Sequence, residues 1–218
     1  MHFEILVEDQ SGKKALEIII PKIIGEQDTF KIHWYKGIGR IPKNLTPHSN
    51  PSKRILLSQF PKILKGYGET FAGYPKGYPA AVILVCDLDD KCLVEFRNQL
   101  FAILEECPQK PTTRFCFAIE EGEAWFLGDF EAIKSAYPKA KNSVLKGYIN
   151  DSICGTWELL ADAIYPGGST KLSAKGWQAI GSEKSRWAER ISPYMDVNDN
   201  NSPSFIHFKE KILELCEG

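Results

Sequence analysis

Acidic residues follow long apolar stretches of this chain at spacings that could support metal-dependent chemistry. The seven apolar residues 80–86 run directly into Asp87-Leu88-Asp89-Asp90. In an extended chain, side chains two positions apart point to the same side, so Asp87 and Asp89 could share a ligand. Neighbouring carboxylates repel each other unless a cation lies between them, and oxygen donors suit Mg²⁺ or Mn²⁺. Asp is also favoured at helix N-termini, so a helix cap is the alternative interpretation.

The apolar run before these acids predicts a strand buried on both faces, as in parallel α/β sheets. Such sheets bind ligands beyond the carboxyl ends of their strands. Glu8 follows a shorter apolar stretch, and Glu121 and Glu123 follow another. We therefore expect acids from three strands to converge at one edge: Glu8, Asp87, Asp89, Glu121 and Glu123. Two divalent cations held there could bind a phosphodiester, activate a water and stabilise the leaving oxygen.

The order of elements predicts an α/β fold with a parallel sheet flanked by helices. Strands are predicted at residues 3–7, 29–35, 82–86 and 114–119, and helices at 11–24, 53–65, 93–107 and from 124. Ser11 is the expected cap of the first helix, Pro21 is expected to kink or end it, and residues 66–79 are expected to form a loop.

Past about residue 137 the pattern changes to shorter helices, predicted at 157–164, 173–180, 184–191 and 204–215. The chain is therefore divided into an α/β domain, residues 1–136, and a helical C-terminal segment, residues 137–218, packed on it. Ser202 is expected to cap the last helix. Helical spacing places Trp125, Trp177 and Trp187 in the core. The isolated histidines His33, His48 and His207 are expected to be structural or exposed.

Composition narrows the possible partners and compartment. The 218 residues carry a formal net charge of −1, so any nucleic acid would bind a local patch or need a partner's help. No segment approaches the ~20 apolar residues of a membrane helix. The six cysteines form no C-x-x-C pair, and Cys86 and Cys116 fall in predicted strands. We expect buried, reduced thiols in a cytoplasmic protein.

The acidic motifs and several C-terminal motifs resemble a known family. Glu8 after the first strand, Asp87-Leu88-Asp89 after a later one and a further acid cluster resemble the TOPRIM domain of topoisomerases, DnaG-type primases and OLD-family nucleases. Within this group, the motifs most resemble those of a TOPRIM-related family of bacterial proteins of unknown function. The resemblance also covers these stretches: Ile119-Glu120-Glu121-Gly122-Glu123-Ala124-Trp125-Phe126-Leu127, Lys184-x-x-Trp187-Ala188-x-x-Ile191-x-Pro193-x-Met195 and Asn201-Ser202-Pro203-Ser204-Phe205.

The resemblance implies a TOPRIM-like (Rossmann-like) fold, a Mg²⁺- or Mn²⁺-dependent nuclease acting on DNA or RNA, and Lys184 as a contact to the scissile phosphate. A solvated helix lysine is the alternative for Lys184. Members are often encoded beside ABC-type ATPases and are suspected to act in phage defence. Relatives commonly have Gly after the first Glu and an acid four positions on, where this chain has Asp9 and Gly12. The second metal position is therefore expected to be weaker, or to use Asp9.

Two other functions fit the same motifs. A TOPRIM-like subunit could bind metal or a partner ATPase without cleaving, and Gly12 in place of an acid favours this alternative. An aspartyl phosphotransferase of the haloacid dehalogenase type would also use Asp-x-Asp. That motif normally follows the first strand and continues into Thr or Val, whereas here it follows a third strand and continues into Asp90-Lys91.

Overall fold

The sheet has four parallel strands, as predicted. The computed structural model describes residues 1–42, 51–152 and 155–217. The strands are β1 (His2–Val7), β2 (Thr29–Trp34), β3 (Ala80–Asp87) and β4 (Thr113–Ala118), in the order β2-β1-β3-β4. Every neighbouring pair is parallel, and the register sets Val7 opposite both Trp34 and Val85. The carboxyl ends of all four strands therefore share one edge of the sheet.

Helices account for most of the remaining described residues. They are α1 (Gln10–Ile19), α2 (Leu56–Ala72), α3 (Leu93–Glu105), α4 (Glu123–Leu127), α5 (Phe130–Ala136), α6 (Asn142–Leu145), α7 (Thr156–Ile164), α8 (Gly168–Ser173), α9 (Trp177–Ile191) and α10 (Pro203–Cys216). Short 3₁₀ turns occupy Ile20–Lys22 and Pro51–Lys53. The α/β prediction, a parallel sheet flanked by helices, is confirmed.

The two faces of the sheet bury separate apolar clusters because side chains alternate along each strand. One face contributes Ile5 and Ile83, which pack with residues of α1, α4, α7, α9 and α10. The other face contributes Leu6 and Leu84, which pack with α2 and α3. Helices α9 and α10 pack against α1 and β4 respectively. Residues of the predicted C-terminal segment thus share one core with the predicted α/β domain.

The first helix differs from its prediction at both ends. Asp9, not Ser11, is its N-cap, since the Asp9 carboxylate accepts a hydrogen bond from Gly12 N at 2.7 Å. Ser11 lies inside the helix and donates its hydroxyl to the same carboxylate. The α-helix stops at Ile19, and Pro21 lies in the 3₁₀ turn that follows, because proline cannot donate the next helical hydrogen bond.

Two other predicted boundaries are wrong for reasons that involve glycine. Helix α2 continues to Ala72, through the start of the predicted loop, and a Cβ on Gly68 would lie only 1.8 Å from the carbonyl oxygen of Gln109. Glycine there permits close packing rather than a turn. The helix predicted at 173–180 is instead the end of α8 and the start of α9. They are separated at Gly176, whose φ of +84° suits glycine.

The aromatic and cysteine predictions are mostly confirmed. Trp125 and Trp187 are buried, but Trp177 is 81% exposed because it begins α9 and projects away from the core. Ser202 caps α10 by accepting from Phe205 N. Cys86 and Cys116 are buried free thiols.

His33 Nε2 lies 2.6 Å from a Glu4 oxygen, and His207 is exposed. His48 and most of the loop that holds it lie outside the described residues. Among the helices that the structure describes, none is long and apolar enough to cross a bilayer.

Candidate active site

A small cavity lies at the carboxyl edge of the sheet and collects most of the predicted acids. Its volume is about 50 Å³, room for a few water molecules or a small ion at about 10–15 Å³ each. The polar side chains on its wall are Glu8, Asp9, Ser11, Asp87, Glu123 and Lys184. Apolar walls come from β1, β3, α1, α4 and α9, including Trp125 and Phe126. The prediction that acids from three strands meet at one edge therefore holds for Glu8, Asp87 and Glu123.

Asp87 joins the ends of three strands. It is the last residue of β3, and its Oδ1 accepts a hydrogen bond from Gly122 N at 2.9 Å, just beyond β4. Its own main-chain N–H donates to Glu8 Oε2 at 3.4 Å, just beyond β1. Both Glu8 and Asp87 are only half-buried, so the site remains accessible from solvent. The carboxylate of Asp87 is consequently fixed in position while facing the cavity.

Asp89 does not join the cavity wall. The strand ends at Asp87, and the backbone of Asp89 turns into the left-handed region with a φ of +51°. Its N–H donates to the carbonyl oxygen of Glu120, and its side chain, 46% exposed, pairs with Lys91 Nζ at 2.5 Å. The prediction that Asp87 and Asp89 face the same side is therefore wrong, because the chain does not stay extended through Leu88. Asp89 stays close enough to affect Glu8 electrostatically.

Lys184 lies among the acids that follow β4. Its Nζ is 3.1 Å from Glu121 Oε1 and 3.0 Å from Glu123 Oε2. The lysine side chain is 14% exposed and that of Glu123 only 3%. The alternative of a solvated helix lysine is therefore wrong, since helix α9 directs this ammonium into the acidic cavity. Glu121 reaches Lys184 from the rim and does not line the cavity itself.

The remaining acids of this region act as helix caps. Glu120 Oε2 accepts hydrogen bonds from Gly155 N at 2.5 Å and Thr156 N at 3.0 Å, at the start of α7. Asp9 caps α1, and both its carboxylate oxygens accept hydrogen bonds from that helix's first turn. The Asp9 oxygens point along the helix N-terminus, where negative charge is stabilised. Asp9 is therefore only partly available to a ligand in the cavity.

The carboxylates repel each other and are poorly solvated, which raises their pKa values. Burial, with the charges of Asp9 and Asp89, raises the pKa of Glu8 to about 8. Burial and the charge of Glu8 raise the pKa of Asp87 well above its usual value. Burial raises the pKa of Glu123 to about 7 although Lys184 opposes the rise. At neutral pH this cluster holds protons that a cation could displace.

The same negative charge that makes the carboxylates harder to ionise makes Lys184 harder to deprotonate. Burial alone would lower the pKa of Lys184, but the facing carboxylates of Glu123, Asp87 and Glu121 outweigh it and raise that pKa well above its usual value. Lys184 is therefore a permanent cation in the cavity. Part of the repulsion that we expected metal ions to relieve is relieved by this ammonium.

Sequence reasoning missed the walls of the site and the role of the first helix. Ser11, Trp125 and Phe126 line the cavity, yet only the proximity of Trp125-Phe126 to Glu123 in the sequence hinted at this. Gly12 also lines it, and a Cβ there would lie 3.1 Å from Asp9 Oδ1. A larger side chain at position 12 would therefore press on the cap that holds α1 against β1.

Within residues 1–42, 51–152 and 155–217, no three His, Cys, Asp or Glu side chains are already arranged to hold a metal ion. The carboxylates of Glu8, Asp87 and Glu123 share a cavity, but Lys184 lies among them. Comparison of the chain with protein-family models, curated proteins and solved structures found no match. The geometry of the cavity is therefore the main guide to function.

Proposed function

We propose that this chain is a divalent-metal-dependent phosphodiesterase that cleaves nucleic acid at the acidic cavity. The observation that carries this proposal is the meeting of Glu8, Asp87 and Glu123 with the buried cation Lys184 at the carboxyl edge of the sheet. This edge is where α/β sheets usually bind ligands. Sites that catalyse phosphoryl transfer use acidic side chains to hold metal ions and a cationic side chain to stabilise the phosphate, and this cavity contains both kinds.

The donor set suits Mg²⁺ or Mn²⁺ by type. Carboxylate oxygens are the ligands that these hard cations prefer. One cysteine, Cys86, also lines the cavity, but burial and the nearby carboxylates raise the pKa of its thiol well above its usual value, so it does not supply the thiolate that softer metals require.

The raised pKa values of Glu8, Asp87 and Glu123 show how unfavourable their joint ionisation is without a further cation. These three residues would hold the ion once Lys184 released Glu123, because no three such side chains within the described residues are already arranged to hold one. Glu121, which also contacts Lys184, would then be free to join them. When bound, the ion would neutralise the phosphate and acidify a water.

The chain's own residues have separate tasks in this proposal. Asp87, fixed by Gly122 N–H, is the anchoring ligand. Glu8, whose raised pKa of about 8 keeps it largely protonated at neutral pH without metal, must first lose that proton, and it can then serve as an ion ligand or accept a proton from the attacking water. Lys184 donates to a non-bridging oxygen of the phosphate once the substrate competes with Glu121 and Glu123 for its ammonium. The resemblance to OLD-type nucleases implies the same task for this lysine.

Two features favour the non-catalytic alternative, a TOPRIM-like subunit that binds metal or a partner without cleaving. Lys184 already neutralises Glu121 and Glu123, and Asp9, the only acid near Gly12 in the first turn, serves as a helix cap. The aspartyl phosphotransferase alternative is favoured less, because Asp89 pairs with Lys91 outside the cavity instead of facing the same ligand as Asp87.

The test is a cleavage assay with purified protein and defined substrates. Single-stranded DNA, plasmid and RNA are incubated with the protein in Mn²⁺, in Mg²⁺ and in chelator, alone and with an ABC-type ATPase encoded beside its gene, if one is present. We expect cleavage in Mn²⁺ that chelator abolishes. An effector subunit of an ATPase-associated phage-defence system would cleave faster with that ATPase. If none of these conditions yields cleavage while Mn²⁺ still binds, the non-catalytic alternative is the better account.

A further inference from the structure

A second concave surface is lined by five cationic side chains. It has a volume of about 790 Å³ and lies between the ends of α5, α7, α8 and α9. We call it the basic groove and define it by five cations, two tyrosines and one acid: Lys139, Lys171, Lys175, Arg186, Arg190, Tyr137, Tyr165 and Glu183. The chain as a whole has a net charge of −1, so this surplus is local.

Two of these cations are available to an incoming anion. Lys139 and Lys171 are exposed, and neither forms an ion pair within the part of the chain that the structure describes. The stem of Lys171 lies over Gly167, where a Cβ would be 2.4 Å from the lysine Cδ. Glycine at that position therefore lets the lysine lie along the groove wall.

Two tyrosine rings, Tyr165 and Tyr137, hold two more cations at the basic groove. Lys175 Nζ donates to the Tyr165 hydroxyl at 2.7 Å and lies 5.4 Å from the centre of its ring. The guanidinium of Arg190 lies 5.8 Å from the centre of the Tyr137 ring. Cations interleaved with aromatic rings are the usual composition of grooves that bind single-stranded nucleic acid.

Helix α9 connects the basic groove to the acidic cavity. Lys184 and Ala188, four positions apart, face the cavity, whereas Glu183, Arg186 and Arg190 line the groove on a neighbouring face.

A third depression bridges the two sites. It is lined by Arg186, which also lines the groove, and by Asp9 and Ser11, which also line the cavity. Lys36 lines it as well, and so does the ion pair between Lys14 and Glu189, whose Nζ and Oε1 atoms are 2.6 Å apart. An extended ligand could therefore follow the surface from the groove to the cavity.

We propose that the basic groove binds the phosphate backbone of single-stranded nucleic acid and leads that strand to the acidic cavity. The delivery to the cavity rests on the proposed function, whereas binding in the groove does not. A strand suits the site because the groove is concave and is lined by residues at the ends of four neighbouring helices. A bilayer presents a plane, which contacts such a groove poorly. A nucleic-acid strand carries a phosphate at every nucleotide, which suits cations spread along a groove better than the scattered acids of a typical peptide.

The test is binding without cleavage. Fluorescence anisotropy of a labelled single-stranded DNA and RNA is measured in chelator across a series of salt concentrations. Each phosphate contact contributes roughly −0.7 to the slope of log K against log salt. The double variant Lys139→Gln/Lys171→Gln should lower that slope by ~1.4 in magnitude and weaken binding roughly tenfold at physiological salt. The control is Lys62→Gln/Lys65→Gln, which removes the same charge from exposed positions of α2, on the opposite face of the sheet.

Loss of binding in the groove variant but not in the α2 control supports the proposal. Equal binding by wild type and the groove variant would overturn it, as would an absence of oligonucleotide binding by folded wild type at low salt. Tighter binding to polyaspartate or to anionic phosphatidylserine vesicles than to the oligonucleotide would also overturn it. The binding assay is run in chelator, where the proposed metal-dependent cleavage does not occur, so a failed groove and a failed catalytic site give different results.

Discussion

Lys184 Nζ lies 3.0 Å from Glu123 Oε2, and both side chains are largely withdrawn from water. This pair joins helix α9 of the C-terminal segment to the residues that follow β4. It also means that a single side chain supplies the positive charge on the polar wall of the cavity. The pair therefore has two consequences, one for stability and one for reactivity.

Replacement of Lys184 by methionine should destabilise the protein in a pH-dependent manner. Removal of one partner of a buried ion pair costs about 3–5 kcal/mol when the other remains charged. Glu123 can instead take up a proton, since burial already raises its pKa to about 7. We expect the loss in unfolding free energy of Lys184→Met to be larger at pH 8 than at pH 6, as measured by urea denaturation.

The control is the double variant Lys184→Met/Glu123→Gln. It removes both charges, so much of the stability lost in the single variant should return, and the pH dependence should be smaller. An additive loss in the double variant would show that the two residues do not interact in the folded protein.

The raised pKa of Glu8 predicts how stability varies with pH in the absence of metal. Glu8 titrates near 4.5 when unfolded and near 8 when folded. Its contribution is therefore fully present below about pH 4.5 and is lost as pH rises through 8. Glu8→Gln has no such titration, so its stability relative to wild type should increase from pH 5 to pH 9, by at most ~1.4 kcal/mol per pH unit. Parallel curves for the two proteins over this range would contradict the assignment.

The sheet and one of its key acids could be predicted from the sequence because their signals are local. The uninterrupted apolar run of β3 indicates a strand buried on both faces, and Asp87 directly follows it. The convergence of Glu8 with Asp87 then follows from parallel strand topology alone.

Other features depend on contacts that no local pattern reveals. Asp89 leaves the cavity because its backbone turns left-handed to pair with the carbonyl of Glu120. Lys184 and Glu121 meet across 63 residues, and only the packing of α9 against α1 and α5 brings them together. Gly68 permits tight packing within a helix although glycine usually marks a helix end. In each case tertiary packing overrides the local signal.

Binding of Mn²⁺ or Mg²⁺ should stabilise the protein more at pH 8 than at pH 6. The ligands must lose their protons before they coordinate, and the pKa values of Glu8 and Glu123 lie near 8 and 7. At a hundred times the dissociation constant the gain is about 2.7 kcal/mol. Thermal melts with and without the ion at both pH values measure this gain. If the ion raises the melting temperature of Asp87→Asn as much as that of wild type, the ion binds outside the cavity.

Asp87→Asn should abolish most metal-dependent cleavage without unfolding the protein. Asparagine keeps the size of aspartate and retains an oxygen that can accept from Gly122 N–H, so a loss of activity reports the missing charge. The apo protein should be as stable as wild type or more stable, because the repulsion between Asp87 and Glu8 is removed. Glu8→Gln should behave alike. The matched control is Asp90→Asn, which removes an exposed carboxylate three residues along the chain and outside the cavity.

Loss of Lys184 should reduce cleavage less than loss of Asp87. A single electrostatic donor to a transition state is worth ~10²–10³-fold in rate. We therefore expect Lys184→Met to retain more activity than Asp87→Asn. Both variants are assayed at pH 6, because Lys184→Met should be more stable there than at pH 8. Initial rates on single-stranded DNA and RNA in Mn²⁺ are compared for wild type and the four single variants. If Asp87→Asn cleaves as fast as Asp90→Asn and wild type, the acidic cavity is not the active site.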